Sequence, residues 1–197
     1  MLENLGNIEK RVYRAFWDDG LLDVFASFGV LAIGFFWMRD WAAAAAIVPA
    51  LLVPLWSPTR KRFVEPRIGM VEFSDNRERQ NTRRLKLVIY AGIASLIIGL
   101  ELYFFRDRLE VSPAVSLIAG LPALLLGLMA LITSFLVASN RFLIYAAILV
   151  FAGVYGAMND WRPGPILALA GIGMLLLATT VMVKFMKDNP HVPEDIE

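Results

Sequence analysis

Few side chains in this 197-residue chain can do chemistry, and their surroundings limit what that chemistry is. Glu101 stands in an otherwise apolar run, Gly99-Leu100-Glu101-Leu102-Tyr103. A carboxylate inside a membrane-spanning helix is costly and is a functional candidate by default. Glu101 has three options: to bind a proton or cation, to pair with Arg39, Arg108 or Arg162, or to reach water from its place near a helix end. Asp23, in Asp18-Asp19-Gly20-Leu21-Leu22-Asp23, is the second ionisable candidate within a span. At a helix start, its ordinary role is to complement the free amides and dipole of the N-terminus. A third group is basic: Arg60, Lys61 and Arg62, followed by Pro66, Arg67 and Gly69, reads as a candidate contact loop.

The chemistry excluded is broader. Cysteine is absent and His191 is the single histidine, so thiolate sites, disulfides and most histidine-based acid–base or zinc chemistry fall away. There is no HExxH, GxSxG or P-loop, no GxGxxG followed by an acid, and no paired intramembrane aspartates. No catalytic residue, cofactor or metal ligand is therefore expected, and the chain reads as non-enzymatic.

The elements that position these residues follow from how hydropathy is distributed. Hydrophobic residues make up 58% of the chain and charged residues 19%, with the charges confined to short intervals. The apolar runs between them are about 17 to 23 residues long, enough as helices to cross a hydrocarbon core of roughly 30 Å. Six spans result: 21–38, 41–56, 87–105, 114–138, 142–158, and a last one ending at 184–187. Pro49 and Pro54 predict a kink in the second. The expected fold is an all-α transmembrane six-helix bundle. Its parts are an amphipathic segment (1–20), a first hairpin (21–57), a basic loop (58–86), a four-helix region (87–187) and a disordered tail (188–197).

Residues 1–20 place Leu5, Ile8, Val12, Tyr13 and Phe16 at helical spacing among charges. An amphipathic helix on the membrane surface and a solvated helix capping the bundle both fit. A signal peptide is the weaker alternative, since Trp37, Arg39, Asp40 and Trp41 look like an interfacial turn. In the basic loop, residues 63–73 mix apolar side chains with Pro66 and Gly69 and read as an extended, turn-containing segment. Asp75 and Glu78 stand in capping-box positions for a polar helix leading into span three.

Sidedness comes from counting charge. Six spans put the first terminus, the basic loop, the 139–141 turn and the last terminus on one side, with fifteen of the nineteen basic residues. The positive-inside rule places that side, and both termini, in the cytoplasm of a bacterial or archaeal cell, the protein lying in its cytoplasmic (inner) membrane. Tryptophans and tyrosines fall near both boundaries, as interfacial belts do.

Helices in lipid gain little from hydrophobic burial against each other, so close packing of small residues carries more of the association. Span four shows a small-residue seam at Ser116, Gly120, Ala123, Gly127, Ala130, Ser134 and Ala138; span six repeats it at Gly164, Ala168, Gly171 and Ala178. Such seams fit contacts within the monomer or across a homodimer. The expected partners are membrane lipids, through anionic headgroups at the basic face, and a second copy or another membrane protein; nucleic acid is not among them.

The opening Trp17-Asp18-Asp19-Gly20-Leu21-Leu22-Asp23, joined to the interval from Arg62 to Phe73, resembles a group of uncharacterised bacterial and archaeal polytopic membrane proteins. In that group an acidic-Gly-Leu start precedes span one and a Phe-x-x-Pro-Arg-x-Gly-x-Val loop follows span two. The likeness covers about the first 75 residues. It implies a shaped loop at Pro66, Arg67 and Gly69, and no activity. The functional expectation is a membrane protein acting through self-assembly or as an accessory partner; the alternative is a small solute or ion transporter or channel.

Overall fold

The computed structural model describes residues 18–68, 112–137, 139–159 and 161–190. These residues are helical almost throughout. α1 spans Leu21–Met38, α2 Ala42–Phe63, α3 Glu65–Ile68, α4 Ser112–Val137, α5 Asn140–Met158 and α6 Pro163–Asp188. Four helices are long and apolar enough to cross a membrane: α1, the Gly120–Val137 part of α4, α5 and α6. Residues 1–17, the third expected span and the last seven residues lie outside the described set, as do Gly69 and Glu101.

Local chemistry sets the helix ends. α1 starts at Gly20, whose left-handed φ of 77° suits glycine. A Cβ there would also lie 3.0 Å from the Met182 amide nitrogen, so the start of α1 is pressed against the backbone of α6. α1 ends in a Schellman turn: the Trp41 amide donates to the Phe36 carbonyl and the Asp40 amide to that of Trp37. Asp40 takes the left-handed position, φ 56°, which short polar side chains tolerate. α6 opens at Pro163, where the missing N–H removes a donor with no helical acceptor.

Two differences from the sequence expectation concern the basic loop. α2 runs unbroken through Pro49, Pro54 and Pro58 to Phe63, so Arg60, Lys61 and Arg62 extend a helix. Residues 65–68 form a helical turn where an extended segment was expected. The reason is local. The Val64 amide donates to the Arg60 carbonyl and the Arg67 amide to that of Val64, while Pro66 falls in a first turn, where its lack of an N–H costs nothing.

Packing rests on two intimate helix pairs, α1 with α6 and α4 with α5; α2 lies on α1, and α5 makes a smaller contact with α6. In the first pair, a Cβ on Gly171 would stand 2.6 Å from the Leu31 Cα, and one on Gly164 2.7 Å from the Met38 amide nitrogen. Gly34 meets the Ala168 backbone in the same way. In the second pair Gly120 abuts the Gly153 carbonyl and Gly127 the Val150 side chain. Ala123 and Ala130 are buried in the core with Tyr145, Leu149, Leu167 and Met174. Large apolar side chains also face outward, Phe135, Phe151 and Met158 each being more than 70% exposed. Such exposure suits a lipid-facing surface and not a water-facing one.

Candidate functional site

The start of α1, the end of α2, the start of α5 and the end of α6 meet at one end of the bundle, and the charged side chains buried there form the candidate site. Asp19 precedes α1 and is fully buried. Its Oδ1 accepts a hydrogen bond from the Leu21 amide at 2.8 Å, satisfying a free amide of the first turn. Its Oδ2 lies 3.0 Å from Arg60 Nη1. Arg60 is itself 7% exposed, and its guanidinium lies over the Trp56 ring, which meets Phe25 edge-on. Burial pushes the Asp19 carboxyl above its ordinary value, against the lowering effects of the Leu21 amide and Arg60.

A second ion pair sits beside the first. Asp23, in the first turn of α1, has no exposed side-chain surface, and its Oδ2 lies 3.4 Å from Arg141 Nη1. Arg141 Nη2 lies closer, 2.8 Å, to Asp18 Oδ1, on a side chain that is 71% exposed. Arg141 Nε also donates to Ser139 Oγ at 3.3 Å, and the Ser139 carbonyl accepts from Ser134 Oγ at 3.0 Å. The short α4–α5 turn thus holds the guanidinium in place. Tyr145, one turn further along α5, stands next to Asp23. Neither Asp23 carboxylate oxygen has an aligned hydrogen-bond partner. Ser27 uses its hydroxyl on the Asp23 backbone carbonyl, at 2.7 Å.

The third link closes the end of α6. Arg67 Nη1 donates to the Met186 carbonyl at 3.1 Å and to the Asn189 carbonyl at 2.8 Å, capping acceptors that a helix C-terminus leaves open. Asn189 adds its side-chain amide to the Phe185 carbonyl. The short α3 turn is therefore tied to a helix more than a hundred residues downstream.

The residues singled out in the sequence distribute as follows. Arg60 is committed inward, Arg67 is half-buried on α6, Pro66 is half-buried in the α3 turn, and Lys61 and Arg62 are exposed. Asp23 lies in the first turn of α1, but Asp19 is the carboxylate that caps that helix, while Asp23 turns toward α5. Gly120, Ala123, Gly127 and Ala130, and Gly164, Ala168 and Gly171, lie in the interior of the monomer or at its two intimate helix pairs. Asp19, Arg141, Tyr145, Gly34 and Gly153 did not stand out from sequence. A lone arginine at the start of a span, behind a very short turn, was the available signal for Arg141. Among the described residues no group of histidine, cysteine or acidic side chains is arranged to hold a metal ion. Comparison with known proteins gave no match to a family model, a curated protein or a solved structure.

Proposed function

We propose that the chain is a non-enzymatic, six-span protein of a bacterial or archaeal cytoplasmic membrane, with both termini inside, that works through assembly with itself or with a membrane partner. Its contact surface is the charged end of the bundle. The observation that carries this is a division of labour among neighbouring basic residues. Arg60 and Arg67 are consumed by internal links, which fix the end of α2 and the α3 turn. Lys61, Arg62 and Phe63 stand exposed on that fixed support, with Lys184 and Lys187 exposed on the end of α6. A rigid support loses less entropy on binding than a flexible loop would. Anionic lipid headgroups complement the same basic surface, at about 1 kcal/mol per well-placed basic residue.

The seams of α4 and α6 pack inside the chain, so assembly uses other surfaces. Because Arg67 also caps α6, the exposed pair is the cleaner probe. Lys61→Glu with Arg62→Glu is expected to reduce recovery of a second copy or a partner from native membranes, with thermal stability unchanged. A monomer without a partner, for wild type and variant alike, sinks the proposal. One observation favours transport as a second reading: Asp23 is a fully buried carboxylate within a span. Flux in proteoliposomes that disappears in Glu101→Gln or Asp23→Asn would establish it over assembly.

A further inference from the structure

We propose that Asp23 is a reversible proton-binding site whose counter-ion, Arg141, is held between it and Asp18. This goes beyond the assembly role and does not rest on it. Two acids share one guanidinium, so the trio of Asp18, Arg141 and Asp23 carries one net negative charge. Asp18 is largely in water and holds Arg141 at 2.8 Å; Asp23 is wholly buried and holds it at only 3.4 Å. The excess charge therefore sits where solvation is poorest. An ion in that position is stabilised by close pairing and further hydrogen bonds, or it neutralises. Asp23 is poorly supplied with hydrogen bonds: neither oxygen has a well-aligned donor, and the Tyr145 hydroxyl is the side-chain group beside it that can offer one.

Among the described residues, the surrounding charges do not supply what is missing. α5 brings Arg141 and Tyr145 to Asp23. α2 brings Arg60, which lies on Asp19. Asp18 and Asp19 precede Asp23 on its own segment, and their negative charge disfavours a further carboxylate. From α6 the charged groups at this end are Lys184, Lys187 and Asp188, all exposed. The step is simple in charge and atoms. One proton from water bonds to an Asp23 oxygen, the carboxylate becomes a neutral acid, and Arg141 remains paired with Asp18. The trio passes from a net charge of minus one to zero. The protonated acid also becomes a hydrogen-bond donor, with the Tyr145 oxygen beside it as an acceptor. The link between α1 and α5 then changes from an ionic contact to a neutral one, with water on one side at Asp18.

Infrared spectroscopy of the full chain in lipid nanodiscs tests this, with pH lowered from about 8 to about 5. The carbonyl band of protonated carboxylic acids is expected to grow in the wild type and in Asp19→Asn, and to lose the contribution of one buried acid in Asp23→Asn. Arg141→Gln removes the counter-charge, and the midpoint of the band is expected to move to at least tenfold lower proton concentration. That variant keeps the proposal open to refutation even if Asp23→Asn fails to fold. A wild-type band that does not grow, a band undiminished in Asp23→Asn, or a midpoint indifferent to Arg141→Gln each overturns the assignment. In those cases Asp23 and Arg141 form a fixed structural ion pair.

Discussion

Asp19 and Arg60 illustrate how a buried ion pair should respond to mutation. Each has lost most of its water, and among the described residues each is the other's nearest opposite charge. Removing one partner leaves the other buried and uncompensated, a loss of about 3–5 kcal/mol, whereas apolar replacement of both is often neutral. Asp19→Ala and Arg60→Ala are each expected to lower thermal stability in detergent by an amount of that order. Asp19→Leu combined with Arg60→Met should return close to wild type, and simple additivity in this cycle would refute the pairing. The pH response has a definite sign. Burial raises the Asp19 carboxyl in the folded chain, so folding takes up a proton between the unfolded and folded values. The stability so contributed is full below the unfolded value, about pH 4, and is lost as pH rises through the folded one. The difference in thermal midpoint between wild type and Asp19→Asn should fall across that interval; a flat difference would show that desolvation does not dominate. Arg67→Ala, which uncaps two carbonyls of α6, should cost about 1.5–3 kcal/mol by the same assay.

Among the elements, the glycines set the distance between paired helices. Gly171 admits the Leu31 backbone and Gly120 the Gly153 carbonyl, so any larger side chain must separate the pair. Gly171→Leu is expected to destabilise by at least about 1–3 kcal/mol, the usual cost of overpacking. The same substitution at Gly173, whose surroundings are open, should be nearly silent. Equal losses at both positions would argue against backbone contact as the cause. These elements also show where sequence was informative. A seam at alternating steps of three and four is a one-dimensional property, so Gly120 and Gly171 were visible in it. Their partners were not, because Leu31 and Gly153 belong to no comparable run and a helix sequence carries no address for its neighbour. The aspartates failed differently. Asp18, Asp19 and Asp23 all suit a helix N-terminus, and which one caps the helix is decided by rotation against α5 and α6. The proline turn at Pro66 was recognisable as shaped, but its helical form depends on Val64 and Arg67 closing backbone bonds with residues before them.

For the molecule as a whole, charge and geometry make separate contributions to sidedness. The geometry gathers the beginnings of α1 and α5 and the ends of α2 and α6 at one end. In the proposed function, charge assigns that end to the cytoplasm, by the positive-inside rule. Since the natural chain has no cysteine, Lys61→Cys and Lys187→Cys provide clean single labels. Both should react with a membrane-impermeant maleimide only in inverted vesicles, and Met158→Cys, at the far end of α5, only in intact cells or right-side-out vesicles. Labelling of Lys61→Cys and Lys187→Cys from opposite sides would break the common end that the ionic links require.

The pairing of α1 with α6 also sets a timetable for synthesis. Leu31 is synthesised well before Gly171, against which it packs. At about 5–20 residues per second, roughly seven to thirty seconds pass between the two. Throughout that interval the glycine face of α1 lacks its main partner and Arg67 lacks the carbonyls it will cap. A chain halted before α6 therefore leaves α1 without the helix it packs against most closely.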